Sequence, residues 1–208
     1  MPTYSHFHSD PQCQCQKIIT LFNALFVESD NTRLVCALCD GRHGELGEPV
    51  YEPANSERTY HQIVFAHGYF ASALHEISHW CVAGKDRRLL GDFGYWYRPD
   101  GRNQEQQTEF EKVEVKPQAL EWLFSLASQR EFVASADNLA GEECSDLAFR
   151  LAVSAQARAY VTHGLPSQAA LMFSQLQQTY GGKATLDQLY WPEEDADECT
   201  EDTPTGAA

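Results

Sequence analysis

The run His75-Glu76-Ile77-Ser78-His79-Trp80 sets two imidazoles four positions apart, with a carboxylate beside the first. At about 100° per residue, positions i and i+4 of an α-helix lie about 40° apart, so both rings can reach one metal ion. Glu76 stands to one side, able to act on a metal-bound water or to orient a ligand. H-E-x-x-H fixes only three positions, so its setting decides its weight. The stretch from Val64 to Leu74 is mostly apolar. On a helical wheel Phe70, Ala73, Leu74, Ile77, Trp80 and Cys81 share a wide arc, with His75 and His79 opposite its centre and Ser72 and Glu76 nearby. A helix that is apolar nearly all round is a core helix. Imidazoles and a carboxylate buried there need partners, because burying them alone is costly. A metal serves all of them. The competing reading is two histidines bonded to backbone carbonyls at an exposed edge.

Two histidines do not complete a site. A zinc hydrolase adds a third protein ligand and keeps a water; a non-haem iron oxygenase uses two histidines and one carboxylate. The downstream acids are Asp92, Glu105, Glu109, Glu111 and Glu114. Glu111 and Glu114 share a helix face at i and i+3. Glu114 lies between Val113 and Val115, where a bare carboxylate is costly; the alternative is an ion pair with Lys112 or Lys116. Glu111 suits a supporting or substrate-facing acid. Asp92 suits a bond to backbone or to a histidine N–H, as metal ligands often need.

The elements that must position these groups fit one domain of the α+β class: a small mixed sheet, a buried metal-binding helix and packed C-terminal helices. Ile18, Leu21, Phe22, Leu25 and Phe26 predict an amphipathic helix from Lys17 to Glu28. Strands are predicted from Thr32 to Leu38, at Val50-Tyr51-Glu52, and from His61 to Ala66 as the central strand. His67-Gly68 turns into the motif helix, which is expected to stop near Ala83-Gly84. Asp92 to Tyr97 reads as a strand, followed by the Arg98–Arg102 turn. Asn103 can cap a helix to about Glu114, with Pro117 starting or kinking the next, from Ala119 to Ser128. Helices follow from Cys144 to His163, with Leu147, Leu151, Val153 and Val161 inward, and from Pro166 to Tyr180, closed by Gly181-Gly182. Leu186 to Trp191 packs the end. Residues 1–16 are expected to be a flexible lead, 17–191 the domain and 192–208 a disordered acidic tail.

With 208 residues, 43% of them hydrophobic, the chain can bury a substantial core. Its net charge is −15, and Glu193–Asp202 holds seven acids and no base. The acidity that remains argues against a direct nucleic-acid partner, which would want a basic face, and suits a cationic substrate group. No basic start precedes an apolar run and no stretch approaches a membrane span, so a cytoplasmic protein without a membrane partner is expected. The seven cysteines then read as reduced thiols. Cys36-Ala37-Leu38-Cys39 has no second pair at zinc-ribbon spacing.

Longer motifs carry a resemblance. Ile63–Gly68, the His75–Trp80 run, D-F-G-Y-W-Y-x-P-D-G-R (Asp92 to Arg102) and F-E-x-V-E-V-K-P-Q-A-L-E-W (Phe110 to Trp122) together resemble the bacterial elongation factor P hydroxylases, over roughly residues 17–190. The C-x-x-C pair and the acidic tail fall outside the pattern. The resemblance implies a fold like the YbeY-type endoribonucleases and, more distantly, zincin proteases. It implies a monooxygenase-type enzyme that hydroxylates the β-lysylated lysine of the translation factor elongation factor P. It also implies a metal set of two histidines and one carboxylate, carried over as His75, His79 and Glu114.

Hydroxylation of an unactivated C–H bond needs a redox metal, so Fe(II) with O2 as co-substrate is expected, zinc being possible in purified protein. Glu76, His67 and Asp92 are the expected catalytic or supporting groups, with His61 at the surface. Glu111, Tyr95 and Tyr97, with Trp96, suit the cationic substrate arm through charge and cation–π contact; ordinary strand packing is the plain alternative for the aromatics. The rival functions are a zinc peptidase with Glu76 as general base, a metal-dependent ribonuclease suggested by fold alone, and a binding module with a structural metal.

Overall fold

The computed structural model describes residues 11–37, 48–66, 68–94, 104–135 and 143–190. Helix α1 (Pro11–Asp30) leads into β1 (Thr32–Cys36), β2 (Val50–Glu52) and β3 (His61–Phe65). Then come α2 (Phe70–Val82), two short 3-10 turns (Arg87–Leu89 and Gly91–Gly94), α3 (Gln104–Ala127), α4 (Glu143–His163), α5 (Ser167–Tyr180) and a last 3-10 turn, Leu186–Gln188. The class is α+β, mostly helical. No described helix is long and apolar enough to cross a membrane.

The sheet order is β1-β3-β2. β3 pairs parallel with β1 (Thr32 opposite His61) and antiparallel with β2 (Val50 opposite Val64). As the central strand it is buried on both faces, and Ile63, Val64 and Phe65 are wholly enclosed. On β1 the amide of Asn23, reaching over from α1, accepts from Leu34 N–H at 2.8 Å and donates to Leu34 O at 3.3 Å. A side chain thus pairs a strand edge that otherwise needs covering.

The α1 face forms because Ile18, Phe22 and Phe26 recur every fourth residue, and all three are fully buried. Trp80 of α2 seats on it, its ring 5.2 Å from Phe22 and 4.8 Å from Phe26. The helix begins at Pro11, ahead of the expected Lys17, and Cys15 is already buried, its thiol bonded to Gly68 O.

Four local expectations give way to packing. First, α2 stops where expected, on Ala83, but in an extended conformation, with Gly84 playing no left-handed part. Second, α3 is one continuous helix through Pro117. An interior proline costs about 3 kcal/mol. It is offset because α3 divides two cores, Leu120, Phe124 and Ala127 facing one and Ala119, Trp122 and Leu123 the other. Third, α4 buries Phe149, Val153 and Ala157, whereas Leu151 and Val161 are 54% and 40% exposed. Small residues let α4 approach α3, and that approach sets its inward face. Fourth, Asp92–Gly94 is a 3-10 turn, not a strand, with Asp92, Phe93 and Gly94 at φ 44°, 57° and 74°. Two contacts over-determine this conformation: Tyr51 N–H donates to Asp92 Oδ1 at 2.9 Å, and the Phe93 ring stacks on Tyr51 at 4.1 Å.

The expected close of α5 is present, Gly181 standing at φ 79° with its N–H on Gln177 O. Asn103, Trp191 and the tail lie outside the described residues.

Candidate metal centre

β3 delivers the chain to a tight turn before α2. Gly68 takes φ 70°, Tyr69 N–H donates to Ala66 O at 3.0 Å, and Ala66 N–H donates to Ser72 Oγ at 2.9 Å. Ala73, Leu74, Ile77, Trp80 and Cys81 then lock one side of α2 into the core. His75 and His79 are left facing α3.

The two Nε2 atoms are 3.0 Å apart. Glu114 of α3 meets both, Oε1 at 3.2 Å from His79 Nε2 and Oε2 at 3.7 Å from His75 Nε2. One donor atom from each of His75, His79 and Glu114 lies within 4.8 Å of the others. Two ring nitrogens pointed at each other, beside a buried carboxylate, form a donor set that a cation fits. His75 Nδ1 lies 2.8 Å from Glu121 Oε2, which sets Nδ1 as the protonated nitrogen and turns Nε2 toward the centre.

The electrostatics point the same way. Burial lowers the pKa of His75, but the hydrogen bond and charge of Glu121, with Glu114 and Glu76, outweigh it and push it up to about 10. Burial raises Glu114, yet His79, His75 and the Gln118 hydrogen bond hold it down at about 2. Glu76, half-buried beside the pair, is raised by burial; His75 and His79 oppose that, and Glu114 and Asp92 add to it. The pocket is thus acid-rich and holds positive charge on His75 when no metal supplies it.

Of the acids open from sequence whose side chains are described, Glu114 alone is brought to the imidazoles. Glu109 pairs with Lys112 at 2.7 Å on the exposed side of α3. Glu111 is half-buried and accepts from Gln107 at 3.0 Å. Asp92 caps the β2 backbone, and the side chain of Glu105 lies outside the described residues. So do His67, Tyr95, Trp96, Tyr97 and Cys39. Cys36 is buried at the end of β1. His61, expected at the surface, is half-buried: its Nδ1 accepts from Ala54 N–H at 3.1 Å and its ring stacks on Tyr51.

Sequence reasoning missed three residues. Glu121 lies two turns beyond Glu114 on the same face of α3, between Leu120 and Trp122; the apolar-setting argument that singled out Glu114 applies to it equally. Gln118, midway between them, donates to Glu114 Oε2 at 3.3 Å. Phe93 stacks parallel to His79, with centroids 6.5 Å apart, and only the left-handed turn places it there.

In this α+β domain a helix-borne histidine pair meets a buried glutamate from a second helix, a donor set that could hold a metal ion. The family model of elongation factor P hydroxylase matches residues 21–190. Over 154 residues the chain is 53% identical to the elongation factor P lysine hydroxylase of Haemophilus influenzae, an overlap of 74% of this chain and 82% of that protein. The chain belongs to the elongation factor P hydroxylase family; it is a hydroxylase and so an oxidoreductase.

Proposed function

We propose that this protein hydroxylates the β-lysylated lysine of elongation factor P at a non-haem Fe(II) centre held by His75, His79 and Glu114. The convergence of those three donors carries the metal assignment; family membership carries the substrate. When bound, Fe(II) supplies the oxygen activation that an unactivated C–H bond demands and that zinc cannot provide.

The chain's own groups prepare and guard that chemistry. Glu121 keeps the Nδ1 proton of His75 and so presents the Nε2 lone pair. Phe93, itself buried, stacks on His79 and excludes water from that side of the histidine pair. Glu76, held above the usual carboxylate range, keeps a proton on its carboxyl to higher pH than an exposed glutamate and can exchange it beside bound substrate. Glu111 and Asp92 add negative field that draws in the cationic β-lysyl arm.

The test is the intact mass of β-lysylated elongation factor P after incubation with this protein, Fe(II) and air. A gain of one oxygen atom, absent with His75→Ala, is expected. No gain from the unaltered protein would overturn the assignment. Glu76 beside a His-His-Glu set also suits a zinc peptidase. That reading predicts protein purified full of zinc and peptide cleavage lost on Glu76→Gln.

A further inference from the structure

Gln118 is 3% exposed and lies on α3 between Glu114 and Glu121. One residue grips its amide at both ends: Ser135 N–H donates to Oε1 at 3.0 Å, and Nε2 donates to Ser135 O at 2.7 Å. Exchanging the amide nitrogen and oxygen would set donor against donor and acceptor against acceptor. Its orientation is therefore determined by the backbone. The remaining N–H of Nε2 faces Glu114 and reaches Oε2 at 3.3 Å.

We propose that Gln118 is a positioning residue for the metal centre, occupying Glu114 Oε2 so that the carboxylate ligates through Oε1 alone. The proposal rests on the metal reading above. A carboxylate binds a divalent ion through one oxygen or both, and the two-oxygen mode consumes one more coordination position. On an octahedral ion, two imidazoles and one carboxylate oxygen leave three positions open, which an oxygenase needs for oxygen, substrate and solvent. A hydrogen bond on Oε2 disfavours the second contact and fixes the rotation of the carboxylate. Ser135 thereby ties the segment after α3 to a metal ligand. That segment has its own anchors, since Ala134 is buried and Phe132 stacks on Trp122 at 5.4 Å. Loss of the Gln118 amide leaves those contacts in place.

The experiment is Mn(II) titration of the full chain, read by electron paramagnetic resonance for affinity and by water-proton relaxivity for exchangeable inner-sphere waters. Gln118→Met keeps length and removes the donors. Expected are about ten-fold weaker binding and one fewer metal-bound water. Ser135→Pro removes the N–H that orients the amide without touching α3, and should move both readouts the same way by less; it also serves should Gln118→Met not fold. Unaltered affinity and water number in both variants, with binding abolished by His79→Ala, would overturn the proposal and leave the metal site standing. Equal Mn(II) binding by the unaltered protein and His79→Ala would overturn the metal site itself.

Discussion

Glu121 accepts a hydrogen bond from His75 across 2.8 Å, from the helix that also supplies Glu114 to the same centre. One face of α3 therefore provides both the carboxylate that meets the histidine pair and the carboxylate that aims one of its rings. Glu121→Gln retains an acceptor but loses charge, and should weaken Fe(II) or Mn(II) binding about ten-fold, near the low end for such outer partners. Glu121→Ala should weaken it more. Competition against a coloured chelator measures both, and affinities equal to the unaltered protein would show that Glu121 does not aim the ring.

The metal-free protein should have an asymmetric pH–stability profile. His75 is raised from 6.5 to about 10, so its contribution is complete below 6.5 and is lost as pH climbs through about 10. Glu114 is depressed from 4.5 to about 2, so its contribution is complete above 4.5 and is lost as pH falls through about 2. Thermal melts of chelator-treated protein from pH 6.5 to 10 should show falling Tm, with a flatter slope in Glu121→Gln. Metal binding displaces the proton on His75, so metal affinity should rise with pH over that interval.

Asp30 and Arg88 hold the end of α1 to the chain that follows α2. The Arg88 guanidinium lies 3.8 Å from the Trp80 ring centroid, donates to Trp80 O at 2.9 Å, and meets Asp30 Oδ1 at 3.1 Å. Its carbonyl accepts the Tyr51 hydroxyl at 2.8 Å. Asp30→Ala leaves a buried guanidinium without its countercharge, and should cost about 3 kcal/mol in urea unfolding. A loss below about 1 kcal/mol would mean that solvent screens the pair.

Gly182 donates to Ala127 O at 3.1 Å, closing α5 onto the end of α3. A Cβ there would fall 2.1 Å from Leu126 O, a backbone atom with no room to swing away. Gly182→Ala should destabilise by about 2 kcal/mol, in the range of other forced overpacking. Gly84→Ala, with open space around the added methyl, is the matched control and should be near neutral in the same melt.

The sequence by itself determined what depends on neighbours along the chain. The histidine spacing is a property of one helix. The α1 stripe of Ile18, Phe22 and Phe26 has helical period, β3 carries the apolar run Ile63-Val64-Phe65, and the longer motifs carry the family. What only the tertiary structure decided depends on how separate elements approach. Several acids were open as partners to the pair, and among those described the packing of α3 across α2 selects Glu114 by distance. The same packing brings Glu121 to His75, a contact invisible to any pattern on α2. Pro117 sits within one helix because two cores flank it, and Asp92 and Phe93 leave the extended form because Tyr51 supplies both an N–H and a ring. Hydrophobic period tells which face of an element turns inward. It does not tell which side chains meet there, because that follows from the crossing of helices distant in sequence.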